Sequence, residues 1–223
     1  MGLPHGYTNR TERIGPGLVR KRYLGPERHE RWRRERLCLS TLAGLLPVPA
    51  VVEEDPGPPA LVLEELPGRP GQQLIDEGFG AAVMGLVGAT LRAVQAVPGE
   101  ALAELGGGSP VLVHGDFGPH NMLFDLEAEP PVSGLVDWEF AHFGDPIEDL
   151  AWAEWTVRMH HPAHAAAIEH LLEHAGATAS WPERRAAMVR RCAELVEQAA
   201  ARGGTDDVER WRRRLAVTEA WPS

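Results

Sequence analysis

The sequence predicts an α+β chain in two unequal lobes: a small antiparallel sheet with one helix over residues 1–66, and a mainly helical part over 67–223. Two observations carry this. Residues 1–66 set short β-rich runs between turn-forming glycines and prolines, whereas 67–223 repeats apolar residues at helical spacing over several long stretches. The charge changes at the same place. Ten Lys and Arg face nine Asp and Glu up to Leu66, and twelve face twenty-three after it, so +1 and −11 make up the net −10.

In the first part, Thr11 to Ile14 and Leu18 to Leu24 flank Gly15-Pro16-Gly17, a turn of the kind that joins antiparallel strands. Gly25-Pro26 stops the second run, and Pro26 or Glu27 opens a helix predicted to reach about Leu46. Val48 to Val52 and Ala60 to Glu65 are two further strands, separated by the turn-forming stretch from Asp55 to Pro59, which gives the order β-β-α-β-β. Pro67-Gly68-Arg69-Pro70-Gly71 reads as a linker. Helices are predicted over 79–97, 146–158, 162–175, 181–202 and 205–220, with short strands at Val111–Val113, Met122–Phe124 and Val132–Val136. Asp145-Pro146-Ile147-Glu148 and Ser180-Trp181-Pro182-Glu183 are capping boxes with proline at the first helical position.

Composition narrows the function. No basic segment followed by an apolar run marks a signal peptide, and no run approaches about 18 apolar residues, so a soluble, cytoplasmic protein without a membrane span is expected. Cys38 and Cys192 show neither the spacing of a metal site nor that of a disulfide framework. The acidic second part repels phosphate backbones and attracts cations, which disfavours nucleic acid as a partner and favours a cationic small molecule. Of 22 cationic residues, 21 are arginine and one is Lys21.

The chemistry concentrates in His114-Gly115-Asp116-Phe117-Gly118-Pro119-His120-Asn121, followed sixteen residues after Asn121 by Asp137-Trp138-Glu139. Each half follows an apolar strand, which places Asp116, Asn121 and Asp137 on strand-end loops where polar side chains converge. Phosphoryl transfer needs one carboxylate to accept a hydroxyl proton and hard oxygen ligands for a Mg²⁺ on the β- and γ-phosphates. Asp116 fits the first role, and Asn121 with Asp137 the second.

The spacing from Asp116 to Asn121, with a histidine two residues before the aspartate, is that of a kinase catalytic loop. With Asp137-Trp138-Glu139, and Gly144-Asp145-Pro146 leading to Asp149-Leu150-Ala151, it resembles the aminoglycoside phosphotransferase and choline kinase family. The resemblance covers nearly the whole chain and is sharpest between 114 and 151. It implies a two-lobed, protein-kinase-like fold, residues 1–66 forming an N-lobe and 67–223 a C-lobe. It implies transfer of a γ-phosphate from ATP or GTP, with Mg²⁺, to a hydroxyl of a small cationic acceptor such as an aminoglycoside. Choline, a sugar or another metabolite fits the motifs too, and a catalytically idle nucleotide-binding module is the reading of a different class.

The family also implies a strand lysine paired with a glutamate on the next helix, and periodicity finds both. In Leu18–Leu24, Val19, Lys21 and Tyr23 share one face, so the lone lysine points inward. Trp32, Leu39, Leu42 and Leu46 form one helical stripe, and Glu35 falls on it. Two inward charges on facing elements are most simply a pair, because either alone in an apolar setting is costly. By the same resemblance Ala60–Leu66 is an interlobe hinge whose Glu64 and Leu66 offer backbone groups to a purine, and Asp149 braces the catalytic loop. The departure is at the start: Gly6-Tyr7-Thr8-Asn9 stands where a strand and glycine-rich turn would cover the phosphates, so the first strand is expected to be short, with Asn9 and Gly6 in a phosphate-facing turn. His160/His164 and His170/His174 are i, i+4 pairs without a third ligand, expected to line or flank the acceptor cleft or to be solvated. Trp152 and Trp155 are read as substrate contacts or core.

Overall fold

The computed structural model describes residues 9–105 and 110–222. Strands β1 (Asn9–Gly15), β2 (Leu18–Tyr23), β3 (Val51–Pro56) and β4 (Pro59–Glu64) form an antiparallel sheet in the order β1-β2-β4-β3, crossed by helix α1 (Arg28–Leu42). Val19 pairs with Leu63 and Lys21 with Leu61, and the alternation of β2 buries Lys21 and Tyr23 while Arg22 stays exposed. The facing side of α1 buries Cys38, Leu39 and Leu42, together with Arg31 and Glu35.

The helix stops four residues short of the expected Leu46. Gly44 takes φ 80°, and the amides of Leu45 and Leu46 turn back onto the Leu42 carbonyl. The third strand begins at Val51 and not Val48, because Pro47 and Pro49 have no N–H to give a ladder; the Pro47 carbonyl instead accepts from Leu135 N at 2.7 Å. Both cysteines are buried, and burial pushes the Cys38 thiol up to about 12 and Cys192 to about 11.

After the sheet, β5 (Arg69–Pro70) pairs with β7 (Met122–Phe124), and β7 with β8 (Val132–Leu135); β6 (Val111–Val113) pairs with β9 (His142–Gly144). Strands β5 and β9 were not predicted, since two or three residues beside Gly and Pro show no alternation. Besides 3-10 turns at Gly99–Leu105, Pro119–Asn121, Trp138–Phe140 and Pro162–Ala167, the remaining elements are α2 (Gly71–Leu74), a π-turn (Ile75–Phe79), α3 (Gly80–Gln95), α4 (Ile147–His160), α5 (Ile168–Ala175), α6 (Trp181–Ala201) and α7 (Thr205–Glu219). Residues 71–95 are long and apolar enough to cross a membrane by composition, an 18-residue window within them having mean hydropathy 1.4, but 56% of that window is buried here in the fold.

One core joins the sheet, α1, α3 and α5 through residues such as Leu39, Leu61, Val87, Leu135 and Leu171. A second lies between α4 and α6, with Trp152, Trp155, Met188 and Cys192, and Trp211 of α7 packs against it. The capping box at Ser180 forms in both directions. At Asp145 it forms as a variant: Glu148 reaches back to the Asp145 N–H at 2.8 Å, while the Asp145 carboxylate takes the Ile147 N–H at 3.0 Å.

Candidate active site

The loop after β6 is anchored from below. Asp149, in the first turn of α4 and 2% exposed, accepts from the backbone N–H groups of His114 at 2.7 Å and Gly115 at 3.0 Å. Burial raises its carboxyl, to about 7, against the pull of those two donors. Gly115 has φ 83°, and a Cβ there would sit 2.5 Å from the Phe140 carbonyl, so no larger residue lets the two chemical segments touch. His114 is fully buried, and burial lowers it to about 4. The neutral ring suits its partners: Nδ1 accepts the Asp116 N–H at 3.3 Å, which leaves Nε2 to donate to the Val136 carbonyl at 3.0 Å.

Asp116 is ringed by donors. Its Oδ1 accepts from Trp152 Nε1 at 2.7 Å and lies 3.2 Å from His120 Nε2; its Oδ2 accepts from Asn121 Nδ2 at 3.1 Å. Burial alone would raise this carboxyl, but the neighbouring His120, with Trp152 and His114, outweighs burial and lowers it to about 2. His120 is raised in turn, the attraction of Asp116 exceeding the effect of burial. Asn121 also gives Nδ2 to the Asp116 carbonyl at 2.9 Å, and its own carbonyl accepts from Val136 N at 3.0 Å. That last bond ties the Asp116 loop to the Asp137 segment.

Asp137 has φ 72° and ψ 54°, a left-handed conformation that costs a non-glycine residue about 1–2 kcal/mol. Lys21 meets it. The Lys21 ammonium lies 2.5 Å from Glu35 Oε2 and 2.6 Å from Asp137 Oδ1, with Tyr23 Oη donating to the same Glu35 oxygen at 2.6 Å. Burial would lower Lys21, but the carboxylates of Asp137 and Glu35 prevail and its pKa is raised, so the lysine stays charged. The pair expected from periodicity is therefore formed, and a third carboxylate, Glu139, joins Glu35 and Asp137 within 4.8 Å.

The structure also corrects expectations. Asn9 is not in a phosphate-facing turn: it starts β1, pairs with Tyr23, and is 7% exposed. Its Nδ2 donates to Glu139 Oε2 at 2.8 Å and its Oδ1 accepts from Arg31 Nη1 at 3.1 Å, so its amide is committed to a buried ion pair; Gly6 lies outside the described residues. At the hinge, the Glu64 N–H is engaged with the Ala50 carbonyl at 3.0 Å, and Leu66 packs a methyl over Gly134. Trp155 is core, 2% exposed, and Trp152 is 7% exposed. Of the histidines, His160 stands edge-on to Trp155 at 5.6 Å, and His174 Nδ1 is bound to its own helix at the His170 carbonyl.

Sequence reasoning missed three partners. Arg31 Nη1 meets Glu139 Oε2 at 2.9 Å, with side chains 5% and 1% exposed, and its Nη2 also reaches the Leu24 carbonyl. A buried arginine in the run Arg28–Arg36 has no signal in a stretch that otherwise reads as solvated. His120 lies inside the motif and could have been suspected there. Trp152 touches Asp116 across 36 residues.

Comparison with known protein families matches residues 100–187 to the phosphotransferase enzyme family. That match covers less than half of the 223-residue chain. The matched segment holds the whole Asp116–Asn121 loop, Asp137 and Asp149. A viomycin phosphotransferase of Streptomyces vinaceus is 49% identical over 41 residues, 18% of this chain and 14% of that protein's length. The fold is kinase-like and matches aminoglycoside phosphotransferase structures. A complex with GDP and kanamycin superposes with TM-score 0.76 at 14% identity, covering 99% of this chain and 92% of the other. A ternary complex of a second aminoglycoside phosphotransferase with ADP and hygromycin B gives 0.71 at 18% identity, covering 100% and 94%.

Proposed function

We propose that the chain transfers the γ-phosphate of ATP or GTP to a hydroxyl of a small molecule, Asp116 orienting that hydroxyl and accepting its proton. The observation that carries this reading is convergence: the Asp116–Asn121 loop, Asp137 and the Lys21–Glu35 pair come from four separate places in the fold, the loops after β6 and β8, strand β2 and helix α1, joined by contacts of 2.5 to 3.1 Å. Lys21, positioned by Glu35, steadies the α- and β-phosphates. The donor set also suits a hard cation. Asn121 has its amide nitrogen engaged with Asp116, which leaves Oδ1 for a cation, and Asp137 has Oδ2 left beside the oxygen that meets Lys21. Asn121 and Asp137 would hold a Mg²⁺, which supplies neutralisation of the β- and γ-phosphate charge. Catalysis by this chain's residues is then positioning plus electrostatics.

For the acceptor we take a cationic, aminoglycoside-like molecule first, on two supports: the −11 charge of residues 67–223 and the acceptors named in the related proteins. The test is label transfer from γ-labelled ATP and GTP with Mg²⁺ onto kanamycin, hygromycin B and viomycin, with choline as a smaller cation. Asp116→Asn removes the carboxylate, and either orientation of the new amide sets an NH₂ against an existing donor, Trp152 and His120 on one side or Asn121 on the other. It is expected to retain nucleotide binding and lose transfer. An Asp116→Asn variant as fast as the parent, or a parent that neither labels an acceptor nor hydrolyses nucleotide, refutes the reading.

A further inference from the structure

The geometry points to Trp152 as a positioning residue that selects which oxygen of Asp116 does the chemistry; this rests on the phosphotransferase reading above. The two oxygens of Asp116 are not equivalent. Oδ1 takes the indole N–H of Trp152 at 2.7 Å and lies 3.2 Å from His120 Nε2, while Oδ2 has the single Asn121 contact at 3.1 Å. A carboxylate oxygen accepts about two hydrogen bonds in the plane. Oδ1 is therefore filled, and Oδ2 keeps the capacity to receive an acceptor hydroxyl.

Trp152 can do this because nothing about it is free to move. One ring face stacks on Trp155, centroids 4.4 Å apart and 5° from parallel, and the Arg191 guanidinium stands 5.9 Å from the ring centre. Trp155 is itself locked by Nε1 donating to Thr218 Oγ1 of α7 at 2.9 Å, and Trp211 of α7 lies 5.8 Å from Trp155 and 6.2 Å from Trp152. Arg191 of α6 donates from Nη2 to the Gly115 carbonyl at 3.1 Å, one residue before Asp116. Helices α4 and α6 thus reach the catalytic loop at two points, one on the carboxylate and one on its backbone, and α7 braces the first through Trp155. A tryptophan 7% exposed, stacked against a second tryptophan and with its N–H engaged, offers an acceptor molecule almost no surface. Its effect falls on the carboxylate, not on acceptor affinity.

Two measurements test this. In the ¹H–¹⁵N spectrum of protein labelled at its seven tryptophans, the Trp152 indole signal is assigned by its loss in Trp152→Phe. In Asp116→Ala that signal is expected to move upfield and exchange faster, while the signal of Trp32, bonded to Ala60, stays in place. For kinetics, 3-benzothienylalanine at position 152 keeps the ring's shape and replaces only the N–H by sulfur. With whichever of kanamycin, hygromycin B or viomycin the parent phosphorylates, it and Trp152→Phe are expected to lower kcat on the order of 10- to 100-fold, as a misplaced reacting group does. Acceptor KM and nucleotide affinity are expected to stay within about twofold, a split that general loosening of the fold does not give. An indole signal that ignores Asp116→Ala, or a benzothienyl variant with the parent's kcat, overturns the proposal. A parent without turnover refutes the phosphotransferase reading instead, and the indole signal then decides alone whether Trp152 holds the Asp116 carboxylate.

Discussion

Glu139→Gln is the most direct test of how the N-terminal sheet and α1 are joined to the segment that carries Asp137. Glu139 is 1% exposed and its Oε2 takes both Arg31 Nη1 at 2.9 Å and Asn9 Nδ2 at 2.8 Å, so one carboxylate ties β1 and α1 to the segment that carries Asp137. Glutamine has the same shape but no charge, so whichever way its amide turns the ion pair with Arg31 is lost. Breaking a buried pair costs about 3–5 kcal/mol. Arg31 keeps Asn9 Oδ1 at 3.1 Å and the Pro26 carbonyl at 3.3 Å, so the lower end, about 3 kcal/mol, applies. For a chain of 223 residues this is a fall in melting temperature of roughly 6–12 °C. Circular-dichroism melts of Glu139→Gln, Arg31→Met and the double variant Arg31→Met/Glu139→Leu are the assay. The double variant is expected to melt above either single one, because it removes the desolvated charges together. A Glu139→Gln shift under about 2 °C, or a double variant whose loss is the sum of the singles, refutes the argument.

Three further outcomes follow from the site. Glu35→Gln leaves Lys21 with Asp137 as its partner at 2.6 Å, and is expected to weaken nucleotide binding and lower turnover at least about tenfold; calorimetric titration with nucleotide and Mg²⁺ checks it. His114 is held neutral with its pKa lowered to about 4, so the unfolded chain binds more protons than the folded one between about 6.5 and 4. Stability from this group is full above about 6.5 and is lost as pH falls to about 4, up to roughly 3 kcal/mol, and His114→Gln is expected to flatten that part of a urea-unfolding series. Gly115→Ala places a methyl 2.5 Å from the Phe140 carbonyl at φ 83°, and is expected to cost more than about 1 kcal/mol and to abolish transfer even where the variant folds.

Much of this was readable in the sequence because the signals were local. His114 to Asn121 is one loop after one apolar strand, and its register with Asp137 follows from β7 and β8 lying between them. Lys21 and Glu35 were readable for a different reason: a period of two and a period of 3.6 each put a charge on an apolar face, and such charges need a partner. What failed was set by contacts between distant residues. Asn9 carried no mark distinguishing a phosphate turn from a strand, and its place was decided by Glu139, 130 residues away. Arg31 belongs to a helix so rich in arginine that one buried guanidinium does not stand out from the solvated ones. The helix end at Leu42 depended on Gly44 adopting a left-handed conformation, an option that glycine has and does not always take.

The one lysine among 22 cationic residues gains its explanation from these contacts. Glu35, Asp137 and Glu139 bring their carboxylate oxygens within 4.8 Å of one another, which repels unless cations stand between them. Arg31 serves Glu139 with a planar fork fixed by the carbonyls of Leu24 and Pro26, so it cannot turn to a second task. Lys21 does what a fork cannot: its ammonium is a point charge with three rotatable donors, and it spans Glu35 on α1 and Asp137 on the far segment at 2.5 and 2.6 Å. In the proposed reaction Asp137 offers Oδ2 to a cation while Oδ1 stays with Lys21, and Glu35 keeps the ammonium in place for the phosphates. Lys21→Arg conserves charge yet adds bulk in a site 7% exposed and holds Asp137 in a bidentate pair. It is expected to fold, with nucleotide affinity and turnover both reduced about tenfold or more, by titration and label transfer. An arginine variant matching the parent in both would show that charge alone is required at position 21.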